Sequence, residues 1–325
     1  MKIHQISRVS SPASHAAFTD LTACGDAFLC CYRQATNHVS GDGKIEIARL
    51  NSDGNVLERA RIVVPGVDLR DPKLSCDPNG RIWLLAFARF QANEYGHSDT
   101  RMMSWFSDNG RSWSGAHHFG ESHWWIWRIG WGKKQAYGLA YNRGLDRLDL
   151  CIGHPHKQMF RHPKPAMSLA KHGLGYPNES ALIIDQCEQI TALVRRDADT
   201  FTAQLGQSKP PYRQWHWKST GTYVGGPAIT PLTSSHALVA GRRWTGRKLV
   251  TQLWRMNLSN AVLTPLITLP SAGDNSYPGL VLQGDNLYMS YYSGHIDNQT
   301  RVYFAKLSGL NALRRQLIDN PVRYN

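Results

Sequence analysis

Six times along the chain, a short apolar run, a polar turn and a second apolar run end in a cluster of charged and aromatic residues. The clearest copy is Leu269 to His295. An extended segment (Asp274 to Tyr277) leads into a buried run (Gly279 to Leu282) and a turn (Gln283 to Asn286). A second run (Leu287 to Tyr292) then ends in Ser293, Gly294 and His295. Short β-rich runs bounded by Gly, Asp, Asn and Pro read as antiparallel strands joined by a tight turn. In such a hairpin the first strand begins at the edge where the second finishes, so Tyr277 and His295 are expected on one rim.

The other copies follow the same plan. The first strand starts at His15, Phe18 and Asp20, and its partner ends at Tyr32 and Arg33. The second unit pairs Asp68, Arg70 and Asp71 with Arg89, and the third pairs Trp127 and Arg128 with Tyr141 and Arg143. The fourth pairs Asn178 and Glu179 with Arg195 and Arg196, and the fifth pairs Gly225 and Gly226 with Arg242 and Arg243. The spacing of roughly fifty residues leaves room for four strands per unit. Helical periodicity is nearly absent, which argues for an all-β chain. Six four-stranded units predict a single-domain, six-bladed β-propeller that converges its polar clusters on one central mouth. The units are placed at 10–64, 65–120, 121–172, 173–221, 222–270 and 271–325. Residues 2–9 are expected to close the ring as a strand on the last unit, and 310–317 to form a short helix.

No apolar run reaches membrane-spanning length. The first fifteen residues hold no apolar core of signal-peptide length, which predicts a cytoplasmic protein. Cys24, Cys30, Cys31, Cys76, Cys151 and Cys187 are scattered without a CxxC pair and read as reduced. No HxxxH-like spacing accompanies the histidines, so no metal and no cofactor are expected. The formal charge of +13 is spread mostly as Arg along the whole chain. Without a helix, zinc or RNA-binding pattern, that spread disfavours nucleic acid. A concave site for a carboxylate or sulfate suits Arg, whose fork matches such groups bidentately.

Ser107 to Trp113, SDNGRSW, lies between two strands of the second unit; SDGNVL (Ser52 to Leu57) and GQSKPPYRQWHW occupy matching places in the first and fourth. Gly110 supplies the reversal and Trp113 packs beneath it. D-x-G-x-x-W at such a turn resembles the Asp-box of the sialidase-like (BNR-repeat) propellers, although Phe106 stands where the box usually has Ser or Thr. The order of segments extends the resemblance over almost the whole chain. Asn178-Glu179-Ser180, the strand ending in Arg195 and Arg196, Arg242, and Ser276-Tyr277-Pro278-Gly279-Leu280 resemble the sialidase glutamate, second arginine, third arginine and tyrosine nucleophile. HAAFTDL, HVSGDG, DLRDPKLS, WRIGW and LPSAGDNSYPGL are similar to bacterial exo-alpha-sialidase-like proteins. Where sialidases carry the first carboxylate-clamping arginine, this chain has Ala17; Arg33 or Arg70 are the neighbouring substitutes.

The resemblance implies a retaining hydrolase of a terminal anionic sugar. Tyr277 would attack, activated by Glu179, because a free phenol titrates near 10 and needs a base. A tyrosine nucleophile is a known exception among glycosidases. The loop after the second strand, where the family's acid/base aspartate resides, offers Asp42 and His38, and Asp20 lies near the start of its strand. Arg33, Arg70, Arg128, Arg195, Arg196, Arg242, His15, Asn178, Trp127, Asp274 and His295 complete the expected substrate contacts. Since strand neighbours face opposite ways, only one of Arg195 and Arg196, and one of Arg242 and Arg243, can point inward. Two alternatives stand beside this reading. One is a lyase on a uronate-containing glycan, with His38 or His295 as base. The other is a glycan-binding propeller without chemistry.

Overall fold

The structure, a computed structural model, describes residues 1–12, 15–92, 96 and 98–319. Residues 13–14, 93–95, 97 and 320–325, assigned by sequence to the first, second and last units, lie outside the described residues. The chain forms six antiparallel sheets arranged as a six-bladed β-propeller. The innermost strands are His15–Cys24, Val67–Cys76, Trp125–Trp131, Pro177–Ile184, Gly225–Pro231 and Ser276–Gln283. Each is followed outward by the next strands in sequence. The last blade takes its outermost strand from the start of the chain, because Lys2–Arg8 pairs antiparallel with Arg301–Ser308. Ile3 and Ile6 pack on the blade-six core beside Leu310 and Leu313 of the helix Leu310–Asp319. The expected closing strand and short helix are both present.

Burial along each blade follows from its neighbours. Ala27–Ala35, Ile82–Phe90 and Asn286–Ser293 are almost continuously buried, since both faces of a middle strand meet an adjacent blade. The outermost Val56–Ile62 is largely exposed and alternates VLERARI. The SDNGRSW turn is a packing device. Ser107 Oγ accepts from the Gly110 N–H at 2.8 Å. Gly110 has φ +71° and comes so close to blade one that a Cβ there would lie 2.8 Å from Cys24 Sγ. The tight turn thus clamps blade two against blade one.

One irregularity recurs in every blade and shapes the mouth. In each innermost strand two residues stand opposite one on the second strand, a β-bulge at the same height in all six blades. The bulged pairs are Phe18-Thr19, Asp71-Pro72, Trp127-Arg128, Asn178-Glu179, Gly226-Pro227 and Tyr277-Pro278. Three of them put proline second, where a bulge needs no ladder N–H. The first residue is left-handed at Phe18 (φ 59°), Asp71 (φ 47°), Gly226 (φ 57°) and Tyr277 (φ 48°). For a non-glycine residue that conformation costs about 1–2 kcal/mol. Strain shared by three non-glycine side chains around one axis is a mark of a working site.

Candidate active site

The bulges turn Phe18, Asp71, Trp127, Glu179 and Tyr277 into a depression of about 350 Å³, with Arg70, Arg89, Arg143, Trp125 and His38 among its other walls. At its floor the Tyr277 hydroxyl donates to Glu179 Oε1 at 2.6 Å. Glu179 Oε2 accepts from Arg195 Nη1 at 2.8 Å and from the Gly226 N–H at 2.7 Å. Arg195 Nη1 also lies 3.1 Å from the tyrosine oxygen. Gly226 is required here: with φ +57°, a Cβ would come within 2.7 Å of the Tyr277 ring. Asn178 Oδ1 accepts from the Glu179 N–H at 2.7 Å and fixes the backbone that presents the carboxylate.

Electrostatics divide the roles. Burial, reinforced by the Glu179 carboxylate, holds the Tyr277 phenol well above its usual range, so it rests protonated. Burial alone would raise Glu179. The Arg195 charge and the hydrogen bonds from Tyr277, Arg195 and Gly226 outweigh it, and the carboxylate lies below its ordinary value. The pair is a protonated phenol hydrogen-bonded to an ionised carboxylate, the arrangement that activation of a phenol by a base requires. Phe18 and Trp127 meet the Tyr277 ring edge-on at 5.3 and 5.5 Å, and the Arg242 guanidinium lies 5.0 Å from its centroid. Arg242 is itself held by Asp274 Oδ1 at 2.6 Å, by Asn275 O and by the Tyr292 hydroxyl at 3.0 Å.

Several expected site residues lie elsewhere. Arg33 is fully buried behind the wall and bound to Asp68, so it offers nothing to a ligand. Asp20 and Arg128 form a 2.6 Å ion pair in the channel beneath the mouth. Asp20 also accepts from the Leu74 N–H at 2.9 Å, and Arg128 donates to Pro278 O at 2.6 Å. The pair therefore ties blades one, two, three and six together. Arg196 faces away from Arg195, as strand alternation requires, and binds Gly175 O and Asp199. Asp42 accepts from Thr36 N–H and Oγ1. Hydrogen bonds from Ser40 and Thr36 hold it down at about 2, which suits a loop cap and not a proton donor. His295 packs on Tyr303 with ring centroids 4.5 Å apart and is not among the residues around the depression.

The most consequential residue left out of the sequence-derived set is Asp71. It is 6 % exposed, and its Oδ1 has no hydrogen-bond partner among the described residues. Burial pushes it up to about 6 despite Lys73, Arg70 and Arg33; the Glu179 charge adds to the rise. A carboxyl poised near neutrality inside a cleft fits a general acid. Its signal in the sequence was Asp71-Pro72, which parallels Gly226-Pro227 and Tyr277-Pro278. Arg89 and Arg143, strand ends in the sequence pattern, are further residues that the expected substrate contacts do not include. Both are exposed at the depression, and neither forms an ion pair among the described residues. At the opposite lip His38 Nδ1 pairs with Asp274 Oδ2 at 2.9 Å. Beside it stands His15, whose ring centroid is 5.8 Å from that of His38.

No protein-family model matches the chain, and no curated protein does. Solved structures match its fold. A protein of unknown function from Dyadobacter fermentans superposes with a TM-score of 0.81 at 14 % identity, over 94 % of this chain and 98 % of its own. A Penicillium chrysogenum alpha-L-arabinanase complexed with arabinobiose gives 0.70 at 14 % identity, over 96 % and 99 %. The Trypanosoma rangeli sialidase in complex with the inhibitor DANA gives 0.70 at 11 % identity; this chain spans 95 % of its own length but 57 % of that protein. At these identities the likeness is one of architecture: the chain is a six-bladed β-propeller of the shape shared by sialidases and arabinanases.

Proposed function

We propose that this propeller is a retaining glycoside hydrolase acting on an anionic sugar, with Tyr277 as nucleophile. The observation that carries this is the 2.6 Å hydrogen bond from Tyr277 to Glu179, with Arg195 on the other carboxylate oxygen. The sialidase and arabinanase among the structural neighbours support a glycan as substrate. Tyr277 Oη attacks the anomeric carbon as its proton passes to Glu179 Oε1. The bond to the leaving oxygen breaks, and that oxygen takes the Asp71 proton. Water, deprotonated by the Asp71 carboxylate, then displaces the tyrosyl oxygen, which recovers its proton from Glu179. A phenol suits a carbon that bears a carboxylate, because a neutral nucleophile is not repelled by it. Arg70, Arg89 and Arg143 line the depression and favour that anion.

The test is a screen of sialyl and uronyl glycosides with mass detection, followed by proton NMR of the first product anomer. Release of a sugar with retained configuration is expected; an inverted first product removes the covalent role of Tyr277.

The acid assignment has its own signature. A group that must be protonated and titrates at about 6 makes kcat/KM fall as pH rises through that value. Asp71→Asn is expected to lower kcat/KM by about 10²–10⁴-fold on substrates with poor leaving groups. It should also abolish that alkaline limb. On an aryl glycoside whose leaving group needs no proton, the first step should be nearly unaffected. A limb near 6 that persists in Asp71→Asn reassigns the acid.

A further inference from the structure

The lip between blades one and six holds three ligating side chains that the proposed chemistry leaves unused. His15 starts the innermost strand of blade one, His38 sits in the loop after the second strand, and Asp274 precedes the innermost strand of blade six. One donor atom from each lies within 4.8 Å of the others. From this juxtaposition we infer that His15, His38 and Asp274 form a binding site for a divalent transition-metal ion of the zinc type.

Four features support the site. His15 is buried, and its Nδ1 has no hydrogen-bond partner among the described residues. A buried orphan ring nitrogen asks for a partner, and a metal ion is one kind that satisfies it. Asp274 is already oriented: its Oδ1 accepts from Arg242 at 2.6 Å and from Tyr292 at 3.1 Å, which leaves Oδ2 facing His38. Fixing one oxygen so that the other is presented is how outer partners aim a metal ligand. The donor set is two imidazoles and one carboxylate, the composition of open zinc and iron sites and not of oxygen-only calcium sites. His38 is half exposed on a loop, with 51 % side-chain exposure, so it can move the short distance that closes three donors on one ion.

Surrounding charge sets the strength. Arg33 and Arg70 stand nearby, but both are paired to Asp68. With one carboxylate of its own, the site binds more weakly than a closed four-ligand site. Three protein ligands leave positions open for water or a ligand oxygen. His38 also lines the depression that holds Tyr277, so those positions face the same mouth. A sugar hydroxyl or carboxylate oxygen is the chemistry they accept.

Metal uptake is measured without substrate, so the inference stands apart from the hydrolase reading. Protein stripped with a chelator is titrated with ZnCl2 in a calorimeter. One Zn²⁺ per chain is expected, with affinity at least tenfold weaker in His38→Ala and in His15→Ala, and with no competition from Ca²⁺. Co²⁺ in place of zinc is expected to give visible absorption bands that His38→Ala loses. His156→Ala serves as control, because His156 and His117 form a separate outer histidine pair with centroids 4.9 Å apart. His38→Ala removes a loop side chain, and its circular dichroism is expected to match the parent. Absence of zinc uptake by the parent protein, a site that survives both histidine variants, or one abolished by His156→Ala overturns the inference.

Discussion

Tyr277→Phe is expected to reduce turnover by about 10⁴-fold, equivalent to about 5.5 kcal/mol of lost transition-state stabilisation. The change removes one oxygen and little else. The ring keeps its edge contacts with Phe18 and Trp127 and its place under Arg242. Glu179 loses the 2.6 Å bond from the phenol but keeps Arg195 and the Gly226 N–H, so its charge remains compensated. Folding should therefore be nearly unchanged and the loss should appear in kcat. Glycan binding, measured on the same variant by calorimetry, is expected to persist. If Tyr277→Phe cleaves a natural substrate at near the parent rate, the covalent mechanism fails and the tyrosine is a packing residue.

The second large effect is on stability. Asp68→Ala is expected to cost about 3–5 kcal/mol, read as a lower urea midpoint, because it leaves Arg33 as an uncompensated buried charge. The Arg33 side chain is 0 % exposed, and Asp68 Oδ1 lies 2.9 Å from its Nη2. The remaining Arg33 donors go to Asn37 O and Ser40 O, so the same pair anchors the loop that carries His38. Asp68 Oδ2 also holds Arg70 at 3.0 Å, at the edge of the mouth. Replacing both partners, as in Arg33→Met with Asp68→Leu, should recover most of the loss, since an apolar pair leaves no charge stranded. A drop below about 1 kcal/mol in the single variant would mean that water reaches Arg33 and that its burial is not rigid.

The history of Arg33 shows where reading residues in order reaches its limit. It ends a second strand just as Arg195 and Arg242 do, and sequence spacing grouped the three. Yet Arg195 reaches Glu179, Arg242 sits over the tyrosine, and Arg33 is sealed behind the wall by a carboxylate from the next blade. Asp20 and Arg128 went the same way. Asp20 follows a bulge and Arg128 is the second residue of one, but both point below it into the channel, where they pair across blades. Asp42 reads as a proton donor from its loop position, but Thr36 uses it as a cap. For Arg33, Asp20 and Arg128 the outcome turned on a partner distant in sequence, and for Asp42 on a hydroxyl six residues away.

Asp71 and the metal-ligating trio teach the converse. The Asp71-Pro72 pattern places Asp71 on the rim, but it does not reveal that Asp71 Oδ1 has no hydrogen-bond partner among the described residues while Asp68, three positions earlier, takes two arginines. His15, His38 and Asp274 show no metal-ligand spacing; they meet because ring closure brings blade six against blade one. A motif search looks along the chain, and such sites are assembled across it.

What the amino-acid sequence determined by itself was periodic: strand length, turn chemistry, six repeats and the rim on which Tyr277 and Glu179 stand. Those properties depend on residues within a hairpin of one another, so a linear reading reaches them. Only the tertiary structure decided which polar side chains on that rim face the mouth, which are neutralised and which remain free. The reason is physical: a buried charge takes its state from whatever lies within a few ångströms, and for Arg33 and Asp20 that neighbour belongs to another blade.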